Sequence, residues 1–230
     1  MIKAILMDFN GVIIDDESIQ MKAYQEVLKG EDVELTEENY FASLGMDDRR
    51  FVASQFERAG KDVTEEKIGE VIKEKSAKWK EMVGGSLPLF DGIENFVEKM
   101  SREFTLGLVS MARRHEIDHV LEASDLRKYF LTIISADDVV NCKPDPECYR
   151  LGFERLDALR TANGHFPMVH GDCLVIEDSP AGVASATAAD LQVLGITNSV
   201  SAASLRENGA AAIASDLRDW MPESIRRVFV

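Results

Sequence analysis

Polar residues with four kinds of chemistry follow four apolar runs of this 230-residue chain. They are, in chain order, Asp8 with Asn10, then Ser110, then Lys143, and last the pair Glu177 and Asp178. If the runs are parallel strands, these side chains meet at one edge of a sheet, where ligands of α/β proteins bind. A carboxylate, a hydroxyl, an ammonium group and an acid pair together suit magnesium-assisted phosphoryl transfer to a carboxylate.

Two of these segments also carry signals for a helix that follows the polar residues. Ser179 is a good N-cap, and Pro180 suits the first turn of a helix. By the same rule, Asp145 should cap a helix that Pro146 opens, which places Lys143 in the loop before that helix. Both segments therefore predict a strand, a short polar loop and a helix.

Asn10-Gly11 allows a second interpretation that involves no chemistry. Asn-Gly between two apolar runs, here 5–7 and 12–14, is a strong signal for a β-hairpin turn. A hairpin would leave the three distant polar segments unexplained. Those segments favour the phosphoryl-transfer interpretation.

In these motifs the chain resembles the haloacid dehalogenase superfamily, in the branch that contains β-phosphoglucomutase and related sugar-phosphate phosphatases. Residues 8–15, Asp-Phe-Asn-Gly-Val-Ile-Ile-Asp, resemble the family's first motif, D-x-D-G-V-x-x-D. Ser110, Lys143 and residues 177–182 resemble its second, third and fourth motifs, in the same order. The resemblance covers nearly the whole chain and implies a hydrolase that acts on phosphorylated metabolites.

The resemblance implies a role for each of these residues. Asp8 would be the nucleophile and would form an aspartyl-phosphate. Magnesium would be bound by Asp8, Asp178 and the backbone carbonyl of Asn10, while Glu177 supports the site or orients a metal-bound water. The residues implied in substrate binding are Ser110, the main-chain amide of Met111, Lys143, Arg113 and, from a helix of the cap, Arg49.

Asn10 departs from the family pattern, which in hydrolytic members has an aspartate that protonates the leaving oxygen. An amide has the same shape but cannot transfer a proton at working pH. The departure implies intact metal and phosphate binding with impaired turnover, which Asn10→Asp should raise about tenfold or more. An engineered substitution, a natural variant with an activated substrate and a loss of catalysis all stay open. So do two other functions, a catalytically silent phosphate- or partner-binding protein and phosphonate hydrolase-type chemistry.

The apolar runs alternate with helical patterns, which predicts an α/β fold with a Rossmann-like parallel sheet. The stretch 16–87 breaks this alternation, because it reads as several helices without a convincing strand. We therefore predict a core domain of residues 1–15 and 88–230 and, inserted after the first strand, a helical cap domain of residues 16–87.

Composition limits the partners of the chain. With 26 basic and 41 acidic residues its net charge is −15, which disfavours nucleic acid and anionic membranes as partners. The three cysteines have spacings that suit neither a zinc site nor a disulfide framework. No leader-like segment precedes the first strand, and no apolar run is long enough to cross a bilayer. We expect a cytoplasmic monomer that meets a small phosphorylated substrate.

Overall fold

The computed structural model describes residues 1–43 and 46–229. Its centre is a six-stranded, all-parallel sheet with the strand order β3-β2-β1-β4-β5-β6. The strands are β1 Ala4–Met7, β2 Thr105–Val109, β3 Phe130–Ile134, β4 Cys173–Glu177, β5 Gln192–Ile196 and β6 Ala212–Ala214. The predicted Rossmann-like fold class is confirmed. Sequence reasoning missed β6, whose three residues are too few to show a pattern.

Strand β1 shows why this sheet is covered on both faces. Ile5 and Met7 pack into one apolar cluster, while Ala4 and Leu6 pack into another. Because successive side chains of a strand point to opposite faces, the two clusters lie on opposite sides of the sheet. The helices outside the insert are α5 Ile93–Ser101, α6 Arg114–Ala123, α7 Glu147–Ala162, α8 Pro180–Ala188, α9 Ala202–Glu207 and α10 Pro222–Val228. Short 3-10 helices span Arg127–Tyr129, Ala136–Asp138, His170–Asp172 and Leu217–Asp219.

The stretch between β1 and β2 begins with four helices and, in its described part, contains no strand of the sheet. These helices are α1 Glu17–Gly30, α2 Glu37–Phe41, α3 Asp48–Arg58 and α4 Glu65–Val83. Thr36 and Thr64 cap α2 and α4 through their hydroxyl oxygens, as their positions before acidic first turns suggest. The insert has an apolar cluster of its own, which includes Tyr24, Leu28 and Phe51. The exact boundaries of a cap domain stay a prediction.

One local prediction is corrected by the structure, and the hairpin alternative is excluded. Helix α7 begins at Glu147, so Pro146 is its N-cap rather than its first residue. The Asp145 carboxylate accepts a hydrogen bond from the amide of Glu147 at 2.9 Å and so still closes the helix start. Asn10-Gly11 forms no hairpin, because β1 pairs in parallel with both of its neighbours.

No helix in the described ranges is both long enough and apolar enough to span a membrane.

Candidate active site

The candidate site lies at the carboxyl edge of the sheet, where the strand order reverses. From β1 the sheet continues to β2 on one side and to β4 on the other, which is the position where open α/β sheets bind ligands. Asp8 follows β1 directly, Ser110 follows β2 and Glu177 is the last residue of β4. Carboxylate oxygens of Asp8, Glu177 and Asp178 lie within 4.8 Å of one another. The structure therefore brings these predicted residues together.

Lys143 lies at the centre of this acidic group. Its ammonium group donates to Asp8 Oδ1 at 2.9 Å and to Glu177 Oε1 at 2.6 Å, and its side chain is 2% exposed. Burial favours the neutral amine, but the charges of Asp8 and Glu177 outweigh it and raise the pKa of Lys143 above its ordinary value. Lys143 is therefore a fixed positive charge beside the candidate nucleophile.

Glu177 is fully buried, and both of its oxygens have protein partners. Oε1 accepts from Lys143 and, at 3.1 Å, from the Tyr149 hydroxyl. Oε2 accepts from the amides of Asp178 and Ser179 at 2.9 and 2.8 Å. A Cβ at Gly182 would lie 1.6 Å from Glu177 Oε1, so this approach requires glycine. Glu177 thus holds Lys143 and the start of α8 in place.

Asp8 and Asp178 have the arrangement expected of ligands for a hard divalent cation. A Cβ at Gly11 would lie 1.8 Å from Asp178 Oδ2, so the backbone passes close to this carboxylate only because residue 11 is glycine. Burial raises the pKa of Asp8 to about 7 although Lys143 opposes it, and burial with the charges of Glu177 and Asp8 raises the pKa of Asp178. Three carboxylates and one ammonium group leave two negative charges, which fits a divalent ion.

Asn10 has a fixed orientation because of a residue that sequence reasoning missed. Its amide nitrogen donates to Asp16 Oδ1 at 2.8 Å, while its Oδ1 faces the Ser110 hydroxyl at 3.5 Å. Asp16 is fully buried, and its Oδ2 accepts from Trp79 Nε1 at 2.7 Å and Gln20 Nε2 at 2.9 Å. A carboxylate can only accept here, so Asp16 determines which way the amide points. In the sequence, Asp16 directly follows the motif residue Asp15, and nothing marks it as the more important of the two. In the structure, Asp15 is exposed and Asp16 is buried.

Above these core residues, the cleft is closed by side chains of the insert and of α6. None of this lining was predicted as a site. It comprises Glu17, Gln20, Tyr24, Tyr40, Ser43, Met46, Asp48, Phe51, Lys75 and Glu116. Lys75 is buried and lies 3.5 Å from Asp48 and 3.3 Å from Glu116. Lys75 can be recognised as part of the cleft only from these contacts with residues that are distant in the sequence.

The predicted substrate residues separate into two places. Ser110 and Met111 line the cleft with Asp8, but Arg49 and Arg113 are outside its described lining. Both arginines border a neighbouring groove instead. Arg113 Nε lies 3.1 Å from Asp137, and Arg49 is paired with Glu65 at 2.5 Å. Their positions after Ser110 and at the start of α3 indicated proximity to the cleft, and in the structure both side chains are ion-paired beside it. Their role in substrate binding stays a prediction.

The all-parallel sheet carries a buried acidic site at its carboxyl edge, and comparison with known proteins assigns the family of the chain. The model of the haloacid dehalogenase-like hydrolases matches residues 5–196, so the chain belongs to that family. It is 29% identical over 229 residues to the phosphorylated carbohydrates phosphatase of Thermotoga maritima, covering 98% of this chain and 97% of that protein.

Two further comparisons concern a longer relative and a solved structure. The chain is 29% identical over 223 residues to SUPPRESSOR OF QUENCHING 1 of Arabidopsis thaliana, covering 94% of this chain but only 20% of that protein. The chain thus spans about a fifth of that relative. β-Phosphoglucomutase from Clostridium difficile superposes with a TM-score of 0.85 at 20% identity, covering 100% of this chain and 97% of the other. That likeness shows a shared fold.

Proposed function

We propose that this protein is a magnesium-dependent phosphatase or phosphotransferase for a small phosphorylated metabolite, with a sugar phosphate as the expected class. The observation that supports this most is the buried arrangement of Lys143 between Asp8 and Glu177, beside Asp178. A carboxylate that is neutralised on one side and open to a cleft is suited to attack phosphorus. The name of the Thermotoga maritima relative supports the carbohydrate class.

The proposed reaction has two displacements at phosphorus. A carboxylate oxygen of Asp8 attacks the phosphate ester, the bond from phosphorus to the alcohol oxygen breaks, and the alcohol leaves with a proton from solvent. Water then attacks the aspartyl-phosphate and loses a proton, which releases phosphate and restores Asp8. Lys143, the Ser110 hydroxyl and the amide of Met111 stabilise the phosphoryl oxygens. Magnesium held by Asp8, Asp178 and the carbonyl of Asn10 would supply the remaining positive charge.

Asn10 determines how fast this reaction proceeds. No proton transfer is available from its amide, so esters with poor leaving groups should react slowly and aryl phosphates faster. The same feature supports the second candidate, a silent phosphate-binding protein. Phosphonate hydrolase-type chemistry needs a neutral amine from the cap. Burial lowers the pKa of Lys75, but the charges of Asp48 and Glu116 outweigh burial and raise that pKa above its ordinary value. Lys75 therefore stays charged and does not supply the neutral amine that this chemistry needs.

The first test is release of phosphate from an aryl phosphate in the presence of magnesium. We expect turnover by the unmodified protein and none by Asp8→Asn, because the amide is not a nucleophile. Asp178→Asn should bind magnesium about tenfold more weakly or worse in titration calorimetry. The exposed Asp62→Asn is the matched control and should behave as the unmodified protein. Binding of phosphate without any turnover would instead support the silent protein.

The affinity for magnesium should depend on pH. Asp8, with a pKa raised to about 7, is protonated below that pH, so the metal must displace a proton there. We expect the association constant to fall about tenfold per pH unit for each displaced proton as the pH drops below about 7. Titration calorimetry in buffers of different ionisation enthalpy measures both the affinity and the proton release. Equal affinity and no proton release from pH 5 to 8 would contradict the assignment of Asp8 as a ligand.

A further inference from the structure

The part of the cleft that is lined by the insert and by α6 is rich in hydrogen-bond acceptors. We call it the acceptor pocket and define it by Glu17, Gln20, Tyr24, Tyr40, Asp48, Lys75 and Glu116. The donors of this pocket are already engaged within the protein. The Tyr24 hydroxyl donates to Asp48 Oδ1 at 2.5 Å, and the Tyr40 hydroxyl donates to Glu17 Oε2 at 2.6 Å.

The two nitrogen donors of the pocket are engaged in the same way. Lys75 donates to Glu116 Oε1 and to Asp48 Oδ1, and its ammonium group lies 5.0 Å from the centre of the Tyr24 ring. Gln20 Nε2 donates to the buried carboxylate of Asp16. Most of the polar groups that an occupant of the pocket would meet are therefore acceptors.

Two of these acceptors lack a partner. Gln20 Oε1 belongs to a side chain whose residue is 7% exposed, and no described residue donates to it. Asp48 Oδ2 is likewise buried without a donor within residues 1–43 and 46–229. Buried acceptors are normally satisfied, and their desolvation is uncompensated until a donor reaches them. These two atoms therefore point to a ligand that carries hydrogen-bond donors.

The charge of the pocket further narrows the class of ligand that it can bind. The pocket contains the carboxylates of Glu17, Asp48 and Glu116 and the ammonium group of Lys75, which together give a formal charge of −2. A second phosphate or a carboxylate would bring only acceptors and more negative charge, so the pocket disfavours both. A protonated amine brings up to three donors and a positive charge.

We propose that the acceptor pocket binds an ammonium group on the alcohol part of the substrate, so that the substrate is an amino-sugar or amino-alcohol phosphate. This inference rests on the proposed function, because it needs the phosphate end of the ester at Asp8. Burial raises the pKa of Glu17 to about 7, and a cation beside it would keep this carboxylate ionised.

The test compares phosphate esters that differ only at the amine. With magnesium present, kcat/KM is measured for glucosamine 6-phosphate, glucose 6-phosphate and N-acetylglucosamine 6-phosphate, and for the smaller pair 2-aminoethyl and 2-hydroxyethyl phosphate. We expect the amine to exceed its hydroxyl counterpart at least tenfold in one series, and acetylation to remove the advantage. Equal or lower values for the amine in both series would overturn the inference while leaving the proposed function intact.

Variants at Glu17 and Asp48 test which groups of the acceptor pocket bind the ammonium group of the substrate. Glu17→Gln and Asp48→Asn should raise KM for the amino ester at least tenfold more than they raise KM for the hydroxyl ester. The matched control is Glu38→Gln, an exposed carboxylate two residues before Tyr40. A fall in kcat for both esters in Glu17→Gln would mean that Glu17 acts in the chemical step, which would overturn its assignment to the ammonium group.

A binding measurement separates failure of the inference from failure of the proposed function. If neither the five esters nor an aryl phosphate is hydrolysed, the phosphatase proposal fails. Calorimetry with Asp8→Asn and magnesium then still compares glucosamine 6-phosphate with glucose 6-phosphate. Tenfold tighter binding of the amine supports the acceptor pocket without turnover, and equal affinity overturns it.

Discussion

Lys143→Met is expected to lower kcat/KM about 10²- to 10³-fold and to destabilise the protein by about 3–5 kcal/mol. The ammonium group of Lys143 neutralises two buried carboxylates, Asp8 and Glu177, at 2.9 and 2.6 Å. Without this ammonium group, the charges of the two carboxylates would repel each other in a site with almost no solvent. Lys143 also lowers the pKa of Asp8, so its loss should leave that nucleophile protonated at neutral pH. Chemical denaturation and phosphate release measure the two effects.

Two controls separate catalysis from folding in this experiment. Lys3→Met removes an ion pair of the same type, 2.7 Å from Asp172, but the Lys3 side chain is 41% exposed. Its loss should cost about 0–1 kcal/mol. Adding Glu177→Gln to Lys143→Met removes one of the opposed carboxylates and should restore part of the stability but none of the activity. If the double variant regained activity, Lys143 would act only as a structural cation.

Much of the fold and the core half of the site could be predicted because local patterns carry them. The apolar runs that became β1 and β4 end in polar groups, and parallel pairing alone then brings Asp8, Glu177 and Asp178 together. Ser179 caps α8 as predicted, since the N-cap signal depends only on neighbouring residues. These features need no knowledge of distant contacts.

The part of the cleft that is lined by the insert and α6 could not be predicted, because its residues are paired with residues distant in the sequence. Lys75 reads as one of many exposed helix lysines, yet it is buried against Glu116, 41 residues away. For Arg113, the place after Ser110 indicated the cleft, whereas in the structure its side chain is paired with the nearby Asp137, and its role in substrate binding stays a prediction. Asp16 was missed for the same reason, because only the structure brings Trp79 Nε1 and Gln20 Nε2 to its carboxylate.

Asp16 also changes what Asn10→Asp alone should do. In the protein as it stands, the Asn10 amide nitrogen donates to Asp16 Oδ1 at 2.8 Å. A carboxylate at position 10 would face that oxygen as a second acceptor in a buried site, so the pair must hold a proton or move apart. The single variant should therefore be less stable than the unmodified protein and gain little activity at neutral pH.

Asn10→Asp combined with Asp16→Asn is expected to raise turnover of alkyl phosphates about 10²-fold or more, the usual contribution of a general acid and base. The amide introduced at position 16 can donate to the new carboxylate, while its oxygen accepts from Trp79 and Gln20 as Asp16 Oδ2 does now. The exchange keeps the net charge and reverses only the direction of one hydrogen bond.

The gain should be smaller for aryl phosphates, whose leaving groups need less protonation, so the ratio of alkyl to aryl rates is the decisive measurement. Asp16→Asn alone is the matched control and should not increase activity, because it adds no proton-transfer group. If Asn10→Asp alone matched the double variant in rate and stability, the contact between Asn10 and Asp16 would not control the chemistry of this site. If neither variant changed the ratio, residue 10 would lie outside the path of the proton.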